Sequence, residues 1–135
     1  MKHTPYRINS LEPNQVFVFG ANEGGRHGAG AALTAKELFG AQPGVGNGIQ
    51  GRSYGIPTKD RKFNRLELDK IKLYVEEFLQ FARRNEGMEF MLTAIGCGLA
   101  GNDPKKIAPM FVKHPDNVIL PLEFYQILYP SKRLL

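Results

Sequence analysis

The sequence predicts an α/β protein: a mostly parallel or mixed sheet with helices on both faces, a three-layer α/β/α arrangement. Three observations predict it. Short β-branched and aromatic runs alternate with helical patterns along the chain, the order that builds such sheets. Two of these runs, QVFVFG and FMLTAI, stop at glycine-rich loops that lead into helical segments. One long segment, Leu68 to Arg84, repeats apolar residues at three- and four-residue steps, the spacing of one buried helix face. At 135 residues, with no internal repeat or interior linker, the chain has the size of one domain, 1–135.

Taken in order, Gln15 to Gly20 has the form of a buried strand, and the loop ANEGGRHGAG follows it. From Ala31 the pattern turns helical, with Ala31, Ala32, Ala35, Leu38 and Phe39 on one face and Gly40 placed to end the helix. Small residues on that face imply close approach of helix to sheet. Gly44, Gly46, Gly48 and Gly51 mark a connecting loop between Ala41 and Arg52. Ser53 to Pro57 reads as a second short strand, closed by Pro57. The helix from about Leu68 to Arg84 places Arg83 and Arg84 at its negative end. Phe90 to Ile95 is a third strand and feeds the second glycine-rich turn, GCGLAGNDP. Asp103 and Pro104 suit the cap and first residue of a helix, which Pro109 keeps short or bent. Val118 to Leu122 is the last strand, and Tyr125 to Tyr129 pack a terminal segment.

Composition narrows the function classes. The hydrophobic fraction of 42% and charged fraction of 23% are those of a globular protein. No apolar stretch reaches the roughly 20 residues of a membrane-spanning helix, and the start, MKHTPYRINSL, lacks the apolar core of a signal peptide. The single cysteine, Cys97, forms no internal disulfide, and no Cys/His cluster has zinc-ligand spacing. A cytoplasmic protein without metal or other cofactor is the expectation. The net charge of +5 is scattered. Lys59, Arg61, Lys62 and Arg65 make its densest cluster, without a basic helix stripe or interleaved aromatic residues. Nucleic-acid binding is therefore a secondary expectation.

The chemistry gathers in the two loops. Ligands of open α/β sheets sit beyond the carboxyl ends of strands, which is where both loops fall. They hold eight of the 15 glycines: Gly20, Gly24, Gly25, Gly28, Gly30, Gly96, Gly98 and Gly101. Glycine lets backbone N–H groups approach an anion, and a following helix N-terminus adds a favourable dipole. Two such loops facing each other suit a pyrophosphate with a sugar at each end; tight turns and close helix–sheet packing are the plain alternative use of the same glycines.

FGANEGGRHGAGAAL resembles the first ligand loop of macrodomains, where a strand ends in an alanine-asparagine pair before glycines and a helix. AIGCGLAGNDP resembles their second, phosphate-binding loop, above all in the branch that removes terminal ADP-ribose from proteins. GNGIQGRSYGIPTKD takes the place of the family's intervening loop and strand. The resemblance spans roughly Gln15 to Pro121 and is nearest to short bacterial and phage macrodomain-like proteins. It implies a ligand of the ADP-ribose type, free or linked to a macromolecule. It places Gly20, Ala21, Asn22, Arg26, His27, Gly28 and Gly30 in the first wall and Ile95, Gly96, Cys97, Gly98 and Leu99 in the second. Asn22 is expected to face the distal ribose, Gly28 and Gly30 to line that ribose and the adjoining phosphate, and the second loop's backbone to wrap the pyrophosphate. Three positions depart from the family: Gln15 stands for the acid that binds the adenine amino group, and Ala29 and Ala100 stand where hydrolase branches carry catalytic side chains.

His27 and Asp60 are the candidate proton-moving groups. Histidine is the side chain suited to moving protons near physiological pH, and His27 lies in the first loop; a phosphate or ribose contact and an exposed loop position are its other readings. Arg26 can pair with phosphate or remain a surface arginine. Lys59 and Asp60 follow the SYGIPT strand and can reach the same rim, with Asp60 the carboxylate for activating water; a surface ion pair explains both equally well. Cys97 reads as a small buried hydrophobe, and Asp103 as a helix cap; Lys105 and Lys106 read as a solvated charge pair, with service beside an anion as the alternative. Three functions fit: a module that binds ADP-ribose, a hydrolase or phosphatase of an ADP-ribose derivative using His27 and perhaps Asp60, and a basic nucleic-acid-binding protein.

Overall fold

A computed structural model describes residues 2–130. The chain forms a three-layer α/β/α sandwich around a five-stranded mixed sheet of order β2-β3-β1-β4-β5. The strands are β1 (Gln15–Asn22), β2 (Gly48–Gln50), β3 (Ser53–Lys59), β4 (Glu89–Leu92) and β5 (Val118–Ile119). β1 pairs in parallel with β3 and β4, and β4 with β5, while β2 runs antiparallel on β3. The helices are α1 (Gly30–Leu38), α2 (Leu68–Arg83), α3 (Pro104–Ile107) and α4 (Leu122–Leu128), with a 3₁₀ turn, Ala108–Phe111, directly after α3.

The two faces are visible in the alternation of β1. Phe17, Phe19 and Ala21 point to one side and pack with Ala32, Ala35 and Phe39 of the α1 region. Val16 and Val18 point to the other, against Val75 and Phe78 of α2, Phe111 and Phe124. Successive strand residues face opposite ways, so a central strand covered on both sides reads as a continuous apolar run. The alanines of α1 do bring it close to the sheet: Ala35 is fully buried. Leu38, placed on the same face by its spacing, is instead 55% exposed at the helix end. Asp103 caps α3 through the Lys105 N–H at 2.9 Å, and Pro104 opens that helix.

Several boundaries differ from the sequence expectation. β2 falls inside the glycine-marked connection; three residues with Gly48 among them carry no strand periodicity. β3 passes through Pro57 to Lys59. β2 covers β3 only from Ser53 to Gly55, and past its end a residue without an N–H forfeits no ladder bond on that side. β4 stops at Leu92 rather than Ile95: the Thr93 N–H and hydroxyl both donate to the Val18 carbonyl, at 3.1 and 2.7 Å, and beyond them the Ile95 N–H folds back onto the Thr93 carbonyl instead of continuing the ladder. β5 ends at Ile119, and Pro121 becomes the N-cap of α4, which begins at Leu122.

Candidate functional site

The strand order decides where a ligand can enter. From β1 the chain leaves through α1 on one face and moves toward β3; from β4 it leaves through α3 on the other face and moves toward β5. Adjacent parallel strands whose connections part to opposite faces open a crevice at their carboxyl ends. The two glycine-rich loops lie at that crevice, residues 23–29 after β1 and residues 93–103 after β4.

They touch. A Cβ on Gly20 would stand 3.2 Å from the Gly96 nitrogen, and one on Gly30 would stand 3.4 Å from Leu99 Cδ1. Gly30 and Gly96 both hold positive φ, 58° and 72°, a conformation that side-chain-bearing residues adopt only under strain. The second loop is closed on itself by Asn102, whose side chain and backbone both donate to the Gly96 carbonyl at 2.9 and 2.8 Å.

The loops differ residue by residue in what they leave open. The N–H groups of Glu23, Gly25, Ile95, Cys97, Gly101 and Asn102 are spent on carbonyls within these turns or on Lys59. Those of Gly28, Ala29, Gly98, Leu99 and Ala100 meet no protein acceptor among the described residues. α1 adds to this set: its N-cap, Ala29, offers no side-chain cap, and no acidic residue stands in its first turn. Gly28, Gly30, Gly98 and Leu99 are all exposed, Leu99 to 72%. Uncovered amides from two loops, beside an uncapped helix start, make a concentration of positive partial charge.

The candidate side chains are placed less uniformly. Asn22 is buried, and its carboxamide is engaged with the Arg26 backbone, donating to its carbonyl at 2.8 Å and accepting from its N–H at 3.0 Å. These bonds shape the loop. Ala21 and Ile95 lie in the core, and Gly20 lies within β1 beneath the second loop. Cys97 donates to the Ile95 carbonyl at 3.3 Å, and burial pushes its thiol up to about 12, so it stays protonated. Gln15 sits at the opposite end of β1, donating to Glu89 at 2.8 Å and accepting from the Glu12 N–H; it takes no part in this crevice.

Both candidate proton-moving groups are engaged in hydrogen bonds within the protein. His27 is only 3% exposed, edge-on to Phe19. Its Nε2 lies 3.0 Å from the Val45 carbonyl and 3.1 Å from Gln50 Oε1. Gln42 donates to that Oε1, and Gln50 Nε2 donates to the Val45 carbonyl; the amide orientation is thereby fixed, and His27 Nε2 must carry the proton. His27 Nδ1 is buried without a partner. The imidazole props the first loop from beneath because glycine lets the two chains close up: Gly44 N–H donates to the Gly25 carbonyl, and a Cβ on Gly46 would stand 2.2 Å from the Asn22 carbonyl oxygen. Asp60 ties its own turn, accepting from the N–H groups of Lys62 and Asn64 at 2.8 and 2.9 Å. The Asn64 backbone bond, with lesser help from Lys62, holds its carboxyl below the usual range.

The end of β3 and the turn after it, which hold Lys59 and Asp60, supply a third wall. Lys59 accepts the Glu23 N–H, and Arg65 donates to the Gly101 carbonyl at 3.1 Å, so this turn touches both glycine-rich loops. Arg61 lies against Gly24. The Arg26 guanidinium sits 5.8 Å from the centre of the Phe63 ring. Arg26, Arg61 and Arg65 therefore rim the crevice with positive charge; the basic cluster was legible in the sequence, but its place was not. Glu23, also unpredicted, accepts from the Tyr74 hydroxyl and from Lys70 at 2.9 Å. Those two bonds, Tyr74 first, lower its carboxyl below the ordinary range, and they bind the first loop to α2.

Two surface hollows of about 360 and 540 Å³ lie away from this crevice, around Arg83. Among the described residues no group of His, Cys, Asp and Glu could hold a metal ion, and no helix is long and apolar enough to cross a membrane. No family model, curated protein or solved structure matches this chain.

Proposed function

We propose that this chain binds ADP-ribose or a related nucleoside diphosphate as a macrodomain-like module, with the pyrophosphate between the loops after β1 and β4. One observation carries the reading: the amides of Gly28, Ala29, Gly98, Leu99 and Ala100, uncovered by any protein acceptor, stand in two loops that meet at the crevice between β1 and β4. Each N–H bond to a charged oxygen contributes about 1.5–3 kcal/mol, so a few of them outweigh the side-chain contacts. The three rim arginines favour the same anion. Binding rather than turnover is the activity this site supports, because His27 is buried under the loop and Asp60 is tied into its own turn.

Calorimetric titration with ADP-ribose, ADP and inorganic pyrophosphate tests the proposal. Saturable binding of ADP-ribose, displaced by ADP and by pyrophosphate, is expected. Heat that never saturates would remove the proposal. Steeply salt-dependent association with DNA or RNA that ADP-ribose does not displace would favour the nucleic-acid reading instead.

A further inference from the structure

Phe63 is a residue that folding does not explain. Its φ is +66°, the one left-handed backbone among the described non-glycine residues. Its turn enforces this: Asp60 N–H donates to the Asn64 carbonyl, Phe63 N–H donates to the Asp60 carbonyl, and the Asp60 carboxylate takes the N–H groups on either side of Phe63. Glycine or asparagine would fit such a position without strain. Nor does the ring bury itself, since Phe63 is 46% exposed. A strained backbone that presents an exposed aromatic side chain, in a turn bonded to both ligand loops, has the form of a functional contact.

We infer that Phe63 is a stacking platform for the nucleobase of the diphosphate ligand, with Arg26 beside it. The inference rests on the proposed diphosphate site and specifies its ligand: a nucleoside diphosphate whose planar base lies on the β3 side of the crevice. Arg26 stands two residues before Gly28 and already lies over the ring. Its guanidinium therefore joins the phosphate-binding amides to the aromatic surface. Stacking tolerates any base, because every base has a π-face, so the platform selects for a base without choosing which.

The test compares ADP with inorganic pyrophosphate on the wild type, Phe63→Asn and Phe63→Tyr. Asparagine accepts the left-handed conformation, so Phe63→Asn keeps the turn and its melting temperature does not fall. ADP affinity drops roughly 30-fold in Phe63→Asn, a mid-range value for one base on one ring, while pyrophosphate affinity stays within about twofold and Phe63→Tyr binds ADP like the wild type. Unchanged ADP affinity in Phe63→Asn overturns the inference, as does an equal loss for both ligands, which would make the ring a mere support of the loop. A wild type that binds neither ligand removes the diphosphate site itself; a wild type that binds both, with no base-dependent loss in the variant, removes only the stacking contact.

Discussion

The sharpest perturbation of the proposed site is Gly98→Asp. Gly98 is exposed, its φ lies outside the left-handed region, and a Cβ there would meet nothing within 4 Å. The substitution therefore introduces a carboxylate with no steric cost, and stability should stay within about 0.5 kcal/mol, as for other surface changes. A phosphate held by the Gly98 and Leu99 amides at roughly 2.8 Å would place its charge on the order of 6 Å from the new carboxylate. Coulomb repulsion at that separation is about 3 kcal/mol per pair of unit charges at an effective dielectric of 20, and about 1 kcal/mol or less in bulk water. The crevice is solvent-facing, so a value of about 1–2 kcal/mol applies, a loss of roughly 5- to 30-fold in ADP affinity. Calorimetry at two ionic strengths, with a thermal melt of the same sample, measures it; the loss should shrink at high salt. Gly98→Ala is the control and should bind nearly as the wild type does. A Gly98→Asp protein that melts normally and binds ADP with unaltered affinity would refute the placement of the phosphates on this loop.

Three further outcomes follow from the geometry. His27→Ala should destabilise the fold by about 2–4 kcal/mol, from the cavity left under the first loop and the donor lost to Val45 and Gln50; a denaturant melt checks it, and a fully stable variant would contradict the buried role. The Glu23 tie to Tyr74 and Lys70 lowers that carboxyl in the folded state, so its contribution is full above about pH 4–5, where the unfolded group ionises. That contribution fades as pH falls through the lower folded value; Glu23→Gln should show a flatter acid limb than the wild type in melts from pH 7 to 3. With its thiol raised to about 12, Cys97 should resist iodoacetamide at pH 8 in the folded protein and react on unfolding, as followed by mass spectrometry; rapid alkylation of the native state would contradict its protonated, half-buried setting.

The sequence by itself determined the layers and the position of the two loops. β1 is apolar at consecutive positions, α2 repeats its apolar residues at helical spacing, and Asp103-Pro104 announces a helix start; each is a local property that the fold preserved because burial and capping act on those same residues. Tertiary structure alone decided which loop residues face outward. His27 lies among glycines in the first loop and Asn22 at the strand end that enters it, yet both turn inward, because Gly25 and Gly46 let a distant segment close against them. No window of sequence contains both partners of that contact. The same holds for the third wall: Arg61, Phe63 and Arg65 are at least 28 residues from both loops, and only the parallel placement of β3 beside β1 carries them to the crevice. Periodicity reports what one element buries; the order in which strands lie side by side reports which loops meet, and that order is set by packing across the whole sheet.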